Sequence, residues 1–143
     1  MEKLRIIYRD EHLVAMDKPP GLLVHRTAIA QAEDFALQRL RAQVGSRVYT
    51  IHRLDRPTSG VLVFGLSREA AVAVARQFAE RRVTKHYLAV VRGWPDADGM
   101  IDYPLSDAPE LPVRSAITRY HVLARAELPV AVGRYATSRY ALV

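Results

Sequence analysis

His52-Arg53-Leu54-Asp55-Arg56-Pro57-Thr58-Ser59-Gly60 separates two β-prone runs, Val48-Tyr49-Thr50-Ile51 before it and Val61-Leu62-Val63-Phe64 after it. Branched and aromatic residues on both sides of a Pro, Thr, Ser and Gly cluster predict strand, loop, strand, with a charged cluster carried on the loop. Asp55 lies between two arginines. Arg53 and Arg56 favour its ionised form, and their guanidinium groups suit phosphate recognition. The same residues also describe an ordinary turn, in which the aspartate caps the backbone and the arginines are solvated. Pattern alone leaves both readings open.

Upstream, Arg5-Ile6-Ile7-Tyr8-Arg9 and Leu13-Val14-Ala15-Met16-Asp17 flank the polar Asp10-Glu11-His12, which predicts a hairpin. Pro19-Pro20-Gly21 breaks the chain, and Leu22-Leu23-Val24-His25 resumes extended structure. Phe35, Leu37, Leu40 and Val44 predict a helix over 34–44, with Asp34 or Glu33 at its start and Gly45 at its stop. A second helix is predicted from Ser67, an N-cap candidate, to about Arg82, on the apolar stripe Ala71, Val74, Ala75 and Phe78. Arg76, Arg81 and Arg82 fall toward its C-terminal half, where cations suit the helix dipole. Tyr87–Val91, Met100–Tyr103 and Ile117–Leu123 read as strands, and the three prolines between Pro104 and Pro112 mark a loop.

At 143 residues the chain can bury one core, and a single domain over 1–143 is the expectation. Its formal charge of +6 is compatible with an anionic partner and equally with a solvated basic surface. The cations are 18 arginines and 3 lysines, which suits phosphate forks and equally fits a bias in genome composition. Cysteine is absent, which excludes disulfides and thiolate metal sites and fits a reducing cytoplasm. The five histidines are scattered, with no spacing suited to a metal. No apolar run approaches the length of a membrane span.

Four stretches together resemble the RluA-type pseudouridine synthases. The first is the loop itself, similar to the family signature H-R-L-D-x-x-T-S-G. The second is Leu13 to His25, a strand ending in Lys18-Pro19-Pro20-Gly21, similar to the family's K-P-x-G. The third is Lys85-His86-Tyr87-Leu88-Ala89-Val90-Val91-Arg92-Gly93, and the fourth is Arg134 to Val143. Arg56-Pro57, Gly93-Trp94 and Asp102-Tyr103-Pro104-Leu105 point to the subgroup that acts on uridine 65 of tRNA.

The resemblance implies an α+β fold, with a mixed, mainly antiparallel sheet and helices packed on it. It implies isomerisation of a uridine to pseudouridine in structured RNA. Ribosomal RNA is the alternative target, and a noncatalytic RNA-binding module the alternative function. Asp55 matches the catalytic carboxylate, acting as nucleophile on the ribose C1′ or as base toward a ribose proton. Arg53 matches the residue that fills the stack when the base is extruded, and Tyr87 the tyrosine against the target uracil. His52 and Leu54 are expected to pack and orient the loop. Thr58, Ser59 and Gly60 are expected to shape its turn, the hydroxyls through side-chain to backbone hydrogen bonds. Lys18 and His25 are open between phosphate or ribose contact and a structural place. The reaction implies no cofactor and no metal, an RNA partner with tRNA foremost, no membrane and no obligate protein partner.

Family members also carry a G-R-x-H-Q-(I/L)-R motif, whose arginine pairs with the catalytic aspartate, beyond the point this chain reaches. The chain is therefore expected to be the N-terminal portion of the catalytic domain. Its last residues, Tyr140-Ala141-Leu142-Val143, are expected to form an unpaired apolar sheet edge. Such an edge would make the isolated polypeptide poorly soluble or oligomeric, with little activity.

Overall fold

The computed structural model describes residues 3–25, 35–106 and 110–143. It divides into two compact units, Met1–Thr84 and Lys85–Val143.

The first unit is built on a hairpin. Strands β1 (Arg5–Arg9) and β2 (Leu13–Lys18) pair antiparallel, with a bulge between Ile6 and Tyr8. Asp10 makes the turn, its Oδ1 accepting the N–H groups of His12 (2.8 Å) and Leu13 (2.6 Å). An aspartate that bonds its own backbone two or three residues on is a local turn device. β4 (Gly60–Gly65) then pairs with β2 from Leu13↔Gly65 to Lys18↔Gly60, and the short β3 (Tyr49–Thr50) closes the order β1-β2-β4-β3.

One face of this sheet carries the core. Val14, Met16, Leu62 and Phe64 are fully buried, as are Leu40 and Val48, and Leu4, Leu22, Val24, Ala36 and Leu54 join them. Alternate positions on a strand share a face, so 14 and 16 on β2 meet 62 and 64 on β4. Helix α1 (Ala36–Val44) supplies Leu40 and ends at Gly45 in the left-handed region, φ 74°. It begins after Phe35 without a side-chain cap, and the Glu33 or Asp34 expected there lie outside the described residues. Gln43 ties α1 to the hairpin, accepting the Leu4 N–H (2.8 Å) and donating to the Leu4 carbonyl (2.9 Å).

Helix α2 (Arg68–Ala79) starts as predicted at Ser67, whose Oγ accepts the Ala70 N–H at 3.0 Å. The expected stripe is the inward one: Ala71 is buried and Val74, Ala75 and Phe78 are half-buried. The helix stops before Arg82 because Arg81 turns left-handed, φ 55°. At the sheet end of α2, Gly65 admits the first turn: a Cβ there would lie 2.7 Å from the Ala71 nitrogen. Only glycine permits that approach.

In the second unit β9 (Ser138–Leu142) lies between β5 (Val90–Arg92) and β8 (Ala124–Leu128), and β6 (Asp98–Asp102) pairs with β7 (Ile117–His121). All these pairs are antiparallel. This corrects the expected unpaired edge: Tyr140, Ala141 and Leu142 each have a partner on both sides, and Val143 exchanges two 2.9 Å bonds with Ala89. The missing partner was β8. Ala124-Arg125-Ala126-Glu127-Leu128 alternates, but two of its three apolar positions are alanines, which are weak strand formers, and all five residues are exposed. The strand expected over Tyr87–Val91 is shifted, beginning at Val90 and leaving Tyr87 and Leu88 before it. Both units together make an α+β fold of mainly antiparallel sheets with two helices, as expected; the one parallel contact among the described residues is the bridge Leu23↔Phe35.

Candidate active site

The charged loop runs from β3 to β4 in the first unit, as the sequence predicts. Its inward residues hold it. Leu54 is buried in the core, and His52 stacks on Phe78 of α2, ring centroids 4.7 Å apart and planes 18° apart. The His52 Nε2 accepts the Val63 N–H at 3.1 Å. This assigns the proton of a neutral ring to Nδ1, since only an unprotonated nitrogen accepts.

The outward residues carry the charge. Arg53 and Asp55, two apart on extended chain, face the same way, and Arg53 Nη2 lies 3.6 Å from Asp55 Oδ1. Both side chains are about 70% exposed (67% and 75%), so this pair contributes little to stability. It is an exposed cation beside an accessible carboxylate, and both can be reached by a ligand. Behind Asp55 the Thr58 N–H donates to the Asp55 carbonyl at 3.0 Å, closing a turn over Arg56 and Pro57. Among the described residues the turn's visible hydrogen bond is this main-chain one. Gly60, at φ 117°, takes a backbone conformation that L side chains resist.

Lys18 is where sequence reasoning was least specific. It is fully buried, and its Nζ donates to the carbonyls of Pro19 (3.0 Å), Leu22 (2.8 Å) and Arg56 (3.2 Å). A solvated or phosphate-bound lysine is ruled out by that position. Burial pushes its ammonium below the ordinary lysine value, and the negative charge of Asp55 works against that shift. Gly21 adds to the same junction, donating its N–H to the Arg56 carbonyl (2.7 Å) and accepting from Arg56 Nε (3.0 Å). The K-P-P-G turn is thus bonded to the residue after Asp55. His25 has a buried Nδ1 without a hydrogen-bond partner among the described residues.

Tyr87 belongs to the second unit. It is 58% exposed, on the extended segment leading into β5, so its ring is not part of a core. Trp94 nearby in sequence lies under Arg139, 4.4 Å from guanidinium carbon to ring centroid, and Arg139 Nε donates to Glu127 at 3.1 Å.

The candidate site is thus an exposed carboxylate on a braced loop with a cation at its side. The comparisons give the family. A model described as RNA pseudouridylate synthase matches residues 12–143, and the chain belongs to that family. Among relatives, tRNA pseudouridine synthase C of Pectobacterium carotovorum subsp. carotovorum is 49% identical over 98% of this chain and 40% of its own length. The protein of the same name from Haemophilus ducreyi is 48% identical over 99% of this chain and 62% of its own. The chain thus spans about 40–62% of the length of these curated relatives. The structure of human RNA pseudouridylate synthase domain containing 1 superposes with a TM-score of 0.71 at 25% identity, covering 99% of this chain and 59% of that one.

Proposed function

We propose that this chain carries the catalytic carboxylate of an enzyme that isomerises uridine to pseudouridine in structured RNA, with tRNA as substrate and uridine 65 as the target. The observation that carries the reading is the paired outward display of Asp55 and Arg53 on a loop whose other residues are committed to the fold. The tRNA target rests on the relatives' names and on the subgroup motifs.

The isomerisation moves the uracil from an N1–C1′ to a C5–C1′ bond. Substrate and product have the same atoms and oxidation level, so the reaction needs neither a redox partner nor an energy source. It needs a carboxylate at C1′ or at a ribose proton, and Asp55 is accessible for either. The uridine must leave its stack, which costs a few kcal/mol. Arg53, planar and beside Asp55, can occupy the vacated place. The role of Tyr87 against the uracil rests on the resemblance of Lys85 to Gly93 to the family's strand, and its ring is exposed. A protein of this kind acts in the cytoplasm, where its RNA is.

The test is Asp55→Asn, which keeps size and removes the charge. Single-turnover conversion of a tRNA transcript should fall by more than about a thousandfold. RNA affinity and the unfolding midpoint should stay near the parent's. Conversion within about tenfold of the parent would assign the chemistry elsewhere.

A further inference from the structure

Arg56 is charged, exposed and next to Asp55, yet its side chain is directed at the Gly21 carbonyl, to which Nε donates at 3.0 Å. Its own carbonyl receives two bonds, from the Gly21 N–H at 2.7 Å and from Lys18 Nζ at 3.2 Å. Arg56 and Gly21, 35 residues apart, therefore hold each other in both directions, side chain to main chain and main chain to main chain. The ion pair to Asp55 is made by Arg53 instead. Asp55 is fixed at both ends of its main chain: Leu54 before it is locked in the core, and Arg56 after it is locked to the K-P-P-G turn. Its own side chain is left exposed.

We propose that Arg56 is a positioning residue, whose Nε bond to Gly21 sets the aim of the Asp55 carboxylate and whose positive charge is incidental to that task. This rests on Asp55 being the reacting group and goes beyond it. An exposed carboxylate has no packing of its own to keep it in line, and small errors of aim are costly in rate. A turn pinned at Arg56 supplies that constraint without burying the carboxylate.

Two near-isosteric replacements separate position from charge. In Arg56→Gln the amide Nε2 stands at the same chain length as the arginine Nε, so the donor remains and the charge is gone. In Arg56→Met the length is kept and donor and charge are both gone. The proposal expects Gln to retain the parent's single-turnover rate within about twofold, and Met to lose roughly five- to tenfold in rate, the weight of one hydrogen bond. RNA affinity should fall equally and slightly in both, with the same small change in salt slope.

Amide exchange of Gly21, whose N–H donates to the carbonyl of residue 56, followed without RNA, should speed up in Met only. If Gln and Met lose rate equally, or lose only affinity, Arg56 acts through its charge on RNA and the proposal fails. If Met exchanges and turns over like the parent, the side-chain bond positions nothing, and it fails again. The exchange readout does not depend on Asp55 being catalytic. A failure of the Asp55 reading would show in Asp55→Asn alone and leave the exchange result standing.

Discussion

The two units spend their apolar residues in opposite ways. In the first, Val14, Met16, Leu40, Val48, Leu62 and Phe64 are fully buried under one sheet face and helix α1. In the second, only Ser138 and Ala141 are buried among the described residues, while Leu88, Val90, Met100, Tyr103 and Val113 are each more than half exposed. The first unit is held by side-chain packing, and the second by main-chain ladders through β9 and β7. The catalytic candidates divide in the same way. Asp55 and Arg53 sit on a loop whose alternate residues reach into a core, and Tyr87 sits on a segment with no core behind it.

The largest effect should follow from opening that core. Phe64 lies one residue from the end of β4, opposite Val14 and beside Thr50 in register. Phe64→Ala should cost about 3–5 kcal/mol, the transfer term plus the cavity left behind. Urea unfolding would show it as a lower midpoint at unchanged slope. A loss below about 1 kcal/mol would mean that the first unit is not packed as described.

Lys18 tests the junction beneath the site. Lys18→Met removes the donor to the Pro19 and Leu22 carbonyls, whereas the Arg56 carbonyl keeps its bond from Gly21. The expected cost is about 2–4 kcal/mol. Its sign with pH follows from the lowered pKa of Lys18. Below the folded value both states hold the proton. Between it and the ordinary 10.5 the unfolded chain holds the proton and the folded one does not. Parent stability therefore rises with pH through that window, relative to the methionine variant, which lacks the group. The difference between their unfolding free energies across an alkaline series checks this, and a fall would reverse the assignment of burial as the dominant cause.

Much of this arrangement was legible in the residues. The strand-loop-strand at 48–64 follows from branched runs around a Pro-Thr-Ser-Gly cluster, and α2 from Ser67 and a stripe at helical spacing. The place of Lys18 was not legible, because a lysine after a strand reads as solvated until three carbonyls are found converging on it. Nor was β8, since its alternation rests on two alanines and a leucine, without the branched or aromatic side chains that mark a strand. The pattern of charges alone did not separate Arg56 from Arg53. Alternation along extended chain, with Leu54 inward, tells which arginine stands beside Asp55, but only the distant Gly21 carbonyl tells where the other one goes.

The smallest effect should come from the second unit, and it sharpens the contrast most. Leu88 is 75% exposed and lies before β5, outside the ladder that begins with the Ala89 and Val143 bonds. Leu88→Ser removes an apolar side chain of the same class as Leu62, which is fully buried. If exposure decides the energetics, the change should stay within about 0.5 kcal/mol, because the side chain is already in water in the folded state. Denaturant titration of the parent and variant side by side gives the number. A loss above about 1.5 kcal/mol could not come from a solvated side chain. It would show that the apolar surface of the second unit is covered in solution, and that the two units differ less in burial than their separate packing indicates.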